Sequence, residues 1–400
     1  MSLIIESLTH LGAGRANDGT LVPRTLPGEE VALRPDGTPQ ILTPSAQRVA
    51  APCRHFKTCG GCALQHAADD FVAEWKQTVV ARALLAHGLE PEFRPMHTSP
   101  AQSRRRAKFS GRRTKSGAMV GFHARASDVL VAVPNCQLVT PGMLAGIPML
   151  EALTVISASR RGEVALTVTD SAAGLDVLVQ TDQRLTDQLR IELAGFAQQH
   201  KLSRLTWVDE TVVTLRDPVQ VFGPATVTPP PGAFLQATED GEATLRSGVM
   251  DIIGNAPRVV DLFAGCGTFS LPLTRTAEVT AVEGEAAMIA AMDRGWRSAK
   301  GVKRLTGITR DLFRRPLEPD ELNRFDAAVI DPPRAGAAAQ VATISVSTIK
   351  TVAMVSCNPV TFGRDVAALV EAGFTLNWVQ VVDQFRWSPH VEMIASLTRA

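Results

Sequence analysis

Cys357 stands in Val355-Ser356-Cys357-Asn358-Pro359, where an apolar run should give way to a helix. An isolated cysteine is usually a small core hydrophobe. A cysteine at a helix N-terminus is different, because that end of a helix favours a thiolate. Earlier in the chain, Val259-Val260-Asp261-Leu262-Phe263-Ala264-Gly265-Cys266-Gly267-Thr268 reads as a strand entering a Gly-rich turn. Gly265 and Gly267 let the backbone pass close to a ligand. The next apolar run ends in Val282-Glu283, an acid placed to take the hydroxyls of a ribose. A dinucleotide fingerprint wants a third glycine, and Ser270 occupies that position. S-adenosylmethionine, which has no pyrophosphate to cradle, is therefore the favoured cofactor over a nicotinamide dinucleotide. Asp331-Pro332-Pro333-Arg334 ends a third strand at the same expected sheet edge.

A thiolate beside a methyl donor suggests a definite chemistry. Carbon 5 of uracil is too weak a nucleophile to attack a sulfonium methyl. Addition of a thiolate to carbon 6 makes carbon 5 enolate-like and able to do so. Two further clusters stand apart from this site. Cys53, Cys59 and Cys62 lie close together, with Cys136 much later. Zinc sites more often come as two close pairs. Ser103-Arg104-Arg105-Arg106-Ala107-Lys108, with Arg112, Arg113, Lys115 and Arg125, concentrates eight cations. The chain's net charge is only +1, so any affinity for nucleic acid must be local to such a run. Phe109, Phe122 and His123 are candidates for stacking on unpaired bases.

These residues need elements to hold them. From about 240 onward, apolar strands near 259–263, 279–282, 327–330, 352–356, 376–382 and 391–397 alternate with helices near 268–276, 286–299, 338–349 and 361–372. That repetition predicts a parallel-dominated α/β sheet with its ligand at the strands' carboxyl ends. Residues 1–45 read as a small β module with strands near 3–8, 20–22 and 30–34, followed by a polar linker over 36–50. Residues 69–88 read as a helix with Phe71, Trp75, Val79 and Ala83 on its apolar face. Residues 100–180 read as β-rich, and 185–199 as a helix. The chain has 400 residues, 45% hydrophobic and 20% charged, which suits a soluble protein of two or three domains. It has no run of 18 apolar residues, and Glu6 interrupts the apolar start, so neither a membrane span nor a signal peptide is expected. Six cysteines are too few for a disulfide scaffold, so reduced thiols and a cytoplasmic setting are expected.

Taken together, the motifs resemble the bacterial RNA uracil-C5 methyltransferases, which make 5-methyluridine in 23S rRNA and tRNA. The shared segments are Phe234-Leu235-Gln236, the 261–267 turn, Asp331-Pro332-Pro333-Arg334-Ala335-Gly336, Ser356-Cys357-Asn358-Pro359 and His390-Val391-Glu392. The resemblance implies a C-terminal class I, Rossmann-like methyltransferase domain over 236–400. It implies a β-rich RNA-binding domain over 49–235 and a TRAM-like β module over 1–48. Cys357 would be the nucleophile and Glu392 the base. Gln236, Phe263, Gly265, Thr268, Glu283, Asp311 and Asp331 would bind S-adenosylmethionine. Thr268 stands where the family usually has Asn, which reaches further. Cys53, Cys59, Cys62 and Cys136 would hold the 4Fe–4S cluster of the ribosomal branch, with zinc or free thiols as the other readings. Arg104, Arg105, Arg106 and Lys108 would meet RNA phosphates. The expected substrate is 23S rRNA, with tRNA uridine 54 as the alternative, and the expected state is a monomer. A non-catalytic iron–sulfur RNA-binding protein and an NAD-dependent oxidoreductase are readings from other classes.

Overall fold

The computed structural model describes residues 2–160 and 162–400. The catalytic sheet has eight strands, in spatial order Leu305–Thr309, Glu278–Glu283, Arg258–Leu262, Ala327–Ile330, Thr351–Ser356, Glu392–Thr398, Thr375–Asp383 and Glu92–Thr98. The first five of these run parallel. Glu392–Thr398 is antiparallel to both of its neighbours. The strand order turns back at Arg258–Leu262, which has sequence-later strands on both sides. A ligand crevice opens at the carboxyl end of such a switch point.

The strands are continuous apolar runs because both faces are covered. Val259, Ala327, Val329, Ala353 and Val355 pack on one side, with Leu245 and Val249 of helix Glu239–Ile253. Val260, Leu262, Ala328, Ile330, Val352 and Met354 pack on the other, with Phe362, Val366 and Leu369 of helix Pro359–Glu371.

The N-terminal module is a five-stranded sheet from Ser2–Leu8 to Pro39–Thr43. That last strand occupies part of the stretch read as a linker; it pairs with Glu30–Leu33 along the sheet edge. The central unit is a seven-stranded sheet, with helices Ile147–Ser157 and Asp187–Gln199 contributing to its core.

The stretch 69–98, placed by sequence within the central domain, instead joins the catalytic sheet. Strand Glu92–Thr98 adds to its edge beside Thr375–Asp383. Helix Asp69–Leu85 buries Val80 and Leu84 in the catalytic core, and Val72 and Trp75 against Leu8, Leu26 and Leu64. Its buried face is thus rotated from the expected one, since it has partners on two sides. Gly363 permits this approach: a Cβ there would lie 2.6 Å from the Ala83 carbonyl oxygen.

Candidate active site and cysteine pocket

The turn after Arg258–Leu262 is built around backbone that few residues tolerate. Phe263, Gly265 and Gly267 all have positive φ, at 64°, 56° and 92°. A Cβ on Gly267 would also strike Met292 at 2.7 Å. Glu283 closes the turn, its carboxylate accepting from the Gly265 and Glu285 amides, each at 3.0 Å. Asp261 lies beneath, accepting from Ser270 Oγ at 2.5 Å while its other carboxylate oxygen has no partner. Burial pushes the Asp261 carboxyl up to about 7, against the Ser270 hydrogen bond.

This turn walls a cavity of about 550 Å³. Gln236, Phe263, Gly265, Thr268, Glu283, Asp311 and Asp331 all line it, and so do Cys357 and Glu392. Every residue expected to bind the cofactor or carry the reaction therefore faces one space. Sequence reasoning missed Phe313, which also lines it and whose ring centroid lies 5.4 Å from that of Phe263. Gln236 joins the inner wall together: it donates to Asp331 at 3.3 Å and accepts from Gln384 at 2.7 Å.

Sheet register explains why Cys357 and Glu392 meet. Ser356 pairs with Met393 across antiparallel strands. One step further along each strand puts Cys357 opposite Glu392, and such pairs place their side chains in reach of one another. Burial pushes the Cys357 thiol up to about 11, with help from Glu392 and Asp331 and against Arg334. This departs from the expectation of a helix-stabilised thiolate. Helix Pro359–Glu371 does begin here, but its exposed Val360 amide is taken by the Asn358 side chain at 3.1 Å. Burial raises Glu392 well above an ordinary carboxylate, and Asp331 adds to this, while Arg334 opposes it. Asp331 itself is pushed up to about 7 by burial and by Asp261. His390 moves the other way, down to about 4, through burial and then Arg334.

Two further cavities meet at this point. One of about 540 Å³ runs from Cys357 and Arg334 to His10 and Leu11 of the N-terminal module and Arg82 of helix Asp69–Leu85. The other, about 470 Å³, runs from His390 and Phe385 past Arg104 and Lys108 to Gly60 and Gly61.

The basic run divides on folding. Arg105 is buried and ion-paired with Glu242, and it donates to Gln220 and to the Gln236 carbonyl. It is corrected from a phosphate contact to a strut between the central unit and the cofactor wall. Arg104 and Arg106 are half-buried, and Arg106 donates to the Gly232 carbonyl at 2.8 Å. Lys108, Arg113, Lys115 and Arg125 are exposed. Phe109 is fully buried and stacks on Phe122, so it cannot stack on a base.

Cys53, Cys59, Cys62 and Cys136 line one small pocket, together with Phe56, Phe122 and Val133. Backbone amides of Gly61 and Leu138 donate to the Cys59 and Cys136 sulfurs, each at 3.4 Å. Burial and the neighbouring thiols push Cys62 up to about 12. Among the described residues, no set of three or more His, Cys, Asp or Glu side chains is disposed to hold a metal ion. No helix among them is long and apolar enough to cross a membrane.

Residues 297–400 match the family model described as tRNA (Uracil-5-)-methyltransferase. An uncharacterised RNA methyltransferase of Mesorhizobium japonicum is 40% identical over 97% of this chain and 95% of its own. One from Caulobacter vibrioides is 40% identical over 97% of each. The 23S rRNA (uracil(1939)-C(5))-methyltransferase RlmD of Halomonas elongata is 31% identical over 99% of this chain and 89% of its own. In fold, the chain resembles the Pyrococcus abyssi tRNA (uracil-54, C5)-methyltransferase, crystallised with S-adenosyl-L-homocysteine. The TM-score is 0.77 at 22% identity, over 100% of this chain and 99% of the other. With relatives of that identity along nearly its whole length and these motifs at one cavity, the chain belongs to the RNA uracil-C5 methyltransferase family.

Proposed function

We propose that this enzyme methylates carbon 5 of a uridine in 23S rRNA, through a covalent bond between Cys357 and carbon 6. One observation carries the reading: Cys357 and Glu392 share a single cavity with the Gly-rich turn. The cavity's charge supports the cofactor assignment. Glu283, Glu285, Asp311, Asp331 and Glu392 line it against Arg310 and Arg334, so acids outnumber bases. Such a wall suits a sulfonium and an ammonium and repels the pyrophosphate of a dinucleotide. S-adenosylmethionine, when bound, supplies an electrophilic methyl.

The chain's residues do the rest. The Cys357 thiolate adds to carbon 6, and the electrons of the 5,6 double bond pass to carbon 5. Carbon 5 then takes the methyl. Glu392 removes the hydrogen left on carbon 5, the double bond re-forms, and the thiolate is expelled. The match to RlmD supports rRNA over tRNA. The test is mass mapping of 5-methyluridine in rRNA and tRNA from a deletion strain. Loss at one 23S rRNA uridine is expected; loss at tRNA position 54 alone would move the substrate to tRNA.

The same reading assigns an iron–sulfur cluster to Cys53, Cys59, Cys62 and Cys136. The four sulfurs line one pocket and two of them accept backbone N–H bonds, but they are not drawn together as a ready metal site, so binding a cubane would have to bring them closer. Its part would be to fix the loop that walls the cavity beside His390. Anaerobically purified protein is expected to be brown, with about four irons and four sulfides per chain. Stoichiometric zinc without iron would reject the cluster.

Exposed Lys108 and Arg125 near that cavity are the better candidates for RNA phosphates. Lys108→Ala with Arg125→Ala should weaken RNA binding and lower the salt slope by about one per lost contact. Equal affinity to wild type at two salt concentrations would reduce both to a solvated surface. Arg105 is left out of this test because its removal strands Glu242 without a partner.

A further inference from the structure

The loop over 384–391 joins the strand ending at Asp383 to the strand beginning at Glu392. It carries Phe385 and His390, which line the cavity with Cys357 and Glu392. Its own backbone bonds are few: Ser388 donates to Phe385 within the loop, and Gln384 donates back to Val382 of the preceding strand. Trp387 sits at a positive φ of 59°, a conformation that persists only where surroundings hold it. The holding contacts come from far back in the chain. The Trp387 carbonyl accepts from the Ala63 and Leu64 amides. Arg386 pairs with Asp69, and Trp387 Nε1 donates to the same carboxylate at 3.2 Å.

Lys76 is the unusual member of this set. It lies on helix Asp69–Leu85 and is fully buried. Its ammonium donates to Asp383 Oδ1 at 2.5 Å and to the Phe385 carbonyl at 3.1 Å. Asp383 Oδ1 also accepts from the Phe385 amide at 2.9 Å. One carboxylate and one ammonium thus fix both backbone groups of Phe385, at the first bend of the loop. A buried pair of this kind is weak evidence for stability, since packed apolar residues often do as well. Its position suggests another use.

Resting on the methyltransferase reading above, we propose that Lys76 is a positioning residue for the reaction: it anchors the 384–391 loop so that Glu392 and His390 face Cys357. The N-terminal half of the chain would then complete the active site as well as hold RNA. A mispositioned group typically costs rate without costing ground-state binding of a ligand it does not touch.

The test compares wild type, Lys76→Met, Lys76→Arg and the double variant Lys76→Met with Asp383→Asn. Unmodified RNA from a strain lacking this gene is the substrate. Lys76→Met is expected to lose about 100-fold in kcat, a loss typical of slight misplacement. Its KM for RNA should stay within about threefold and its S-adenosylmethionine affinity within about twofold, marking a defect in the reaction step. Lys76→Arg keeps the charge and should recover about tenfold or more of the lost rate. Lys76→Met with kcat within about threefold of wild type would overturn the proposal. So would a parallel fall in kcat and cofactor affinity that Lys76→Arg does not rescue. If Lys76→Met does not fold, the double variant decides, since it leaves no unpaired buried charge. A folded double variant with the same kcat loss supports positioning; one with wild-type kcat, or one that also fails to fold, overturns it. Wild type that leaves uridine unmethylated would instead defeat the functional reading.

Discussion

Cys357→Ala is expected to abolish methyl transfer, by about 10⁴-fold or more, as loss of a covalent nucleophile does. Binding of S-adenosylmethionine should persist, because the Gly-rich turn and Glu283 are built without the thiol. No protein–RNA species should survive denaturation. The resting thiol adds a pH signature. Pushed up to about 11, it is almost wholly protonated at neutral pH. Below that value the thiolate fraction rises about tenfold per pH unit, so adduct formation by wild type should speed up between neutral and mildly alkaline pH. A cationic cofactor in the cavity would offset Glu392 and Asp331, the two carboxyls that help raise the thiol. Adduct formation should therefore be faster with S-adenosylmethionine bound than without a ligand. Trapping followed by gel shift across pH checks both points. Full methylation by the Ala variant would remove Cys357 from the reaction.

The catalytic sheet was legible in the sequence because its strands are buried on both faces. Continuous apolar runs such as Val352 to Val355 are hard to mistake when turn residues bound them. Strand Leu305–Thr309 was missed for the opposite reason. It is an edge strand, with Gly307 in its middle and alternate residues more open. Helix Glu239–Ile253 carried a signal that was passed over: Thr238 caps it by accepting from Gly241, and three acids fill its first turn. The site residues were legible as motifs, but their electrostatics were not. A basic run reads the same whether its members face water or a buried carboxylate. Only folding pairs Arg105 with Glu242, 137 positions away. Likewise, Cys357 at a helix start suggested an acidic thiol, whereas Asn358 takes the helix amide and the strand register delivers Glu392 opposite.

Glu392→Gln is expected to form the covalent adduct and transfer the methyl, then release product slowly. After transfer, carbon 5 holds both the methyl and its original hydrogen, and β-elimination waits on a base. Two residues compete for that role. The imidazole of His390 is pushed down to about 4 by burial, Arg334, Lys76 and Arg104, so it is neutral at pH 7 and a poor proton acceptor. Burial and Asp331 make Glu392 a stronger base than an ordinary carboxylate. It also lies opposite the sulfur by register, whereas His390 leans on the Arg334 guanidinium at 3.1 Å. Loss of a general base typically costs about 10²–10⁴-fold, and here that cost should fall on release alone. A protein–RNA species carrying the methyl should accumulate and survive a denaturing gel. The same substitution removes a negative charge that raises the Cys357 thiol. Cys357 in Glu392→Gln should therefore be more acidic than in wild type, and its adduct should form at lower pH. Wild-type turnover in Glu392→Gln, with the adduct trapped instead by His390→Ala, would transfer the role to His390. A trapped adduct without the shift to lower pH would leave Glu392 as the base and place the control of the thiol with burial and Asp331.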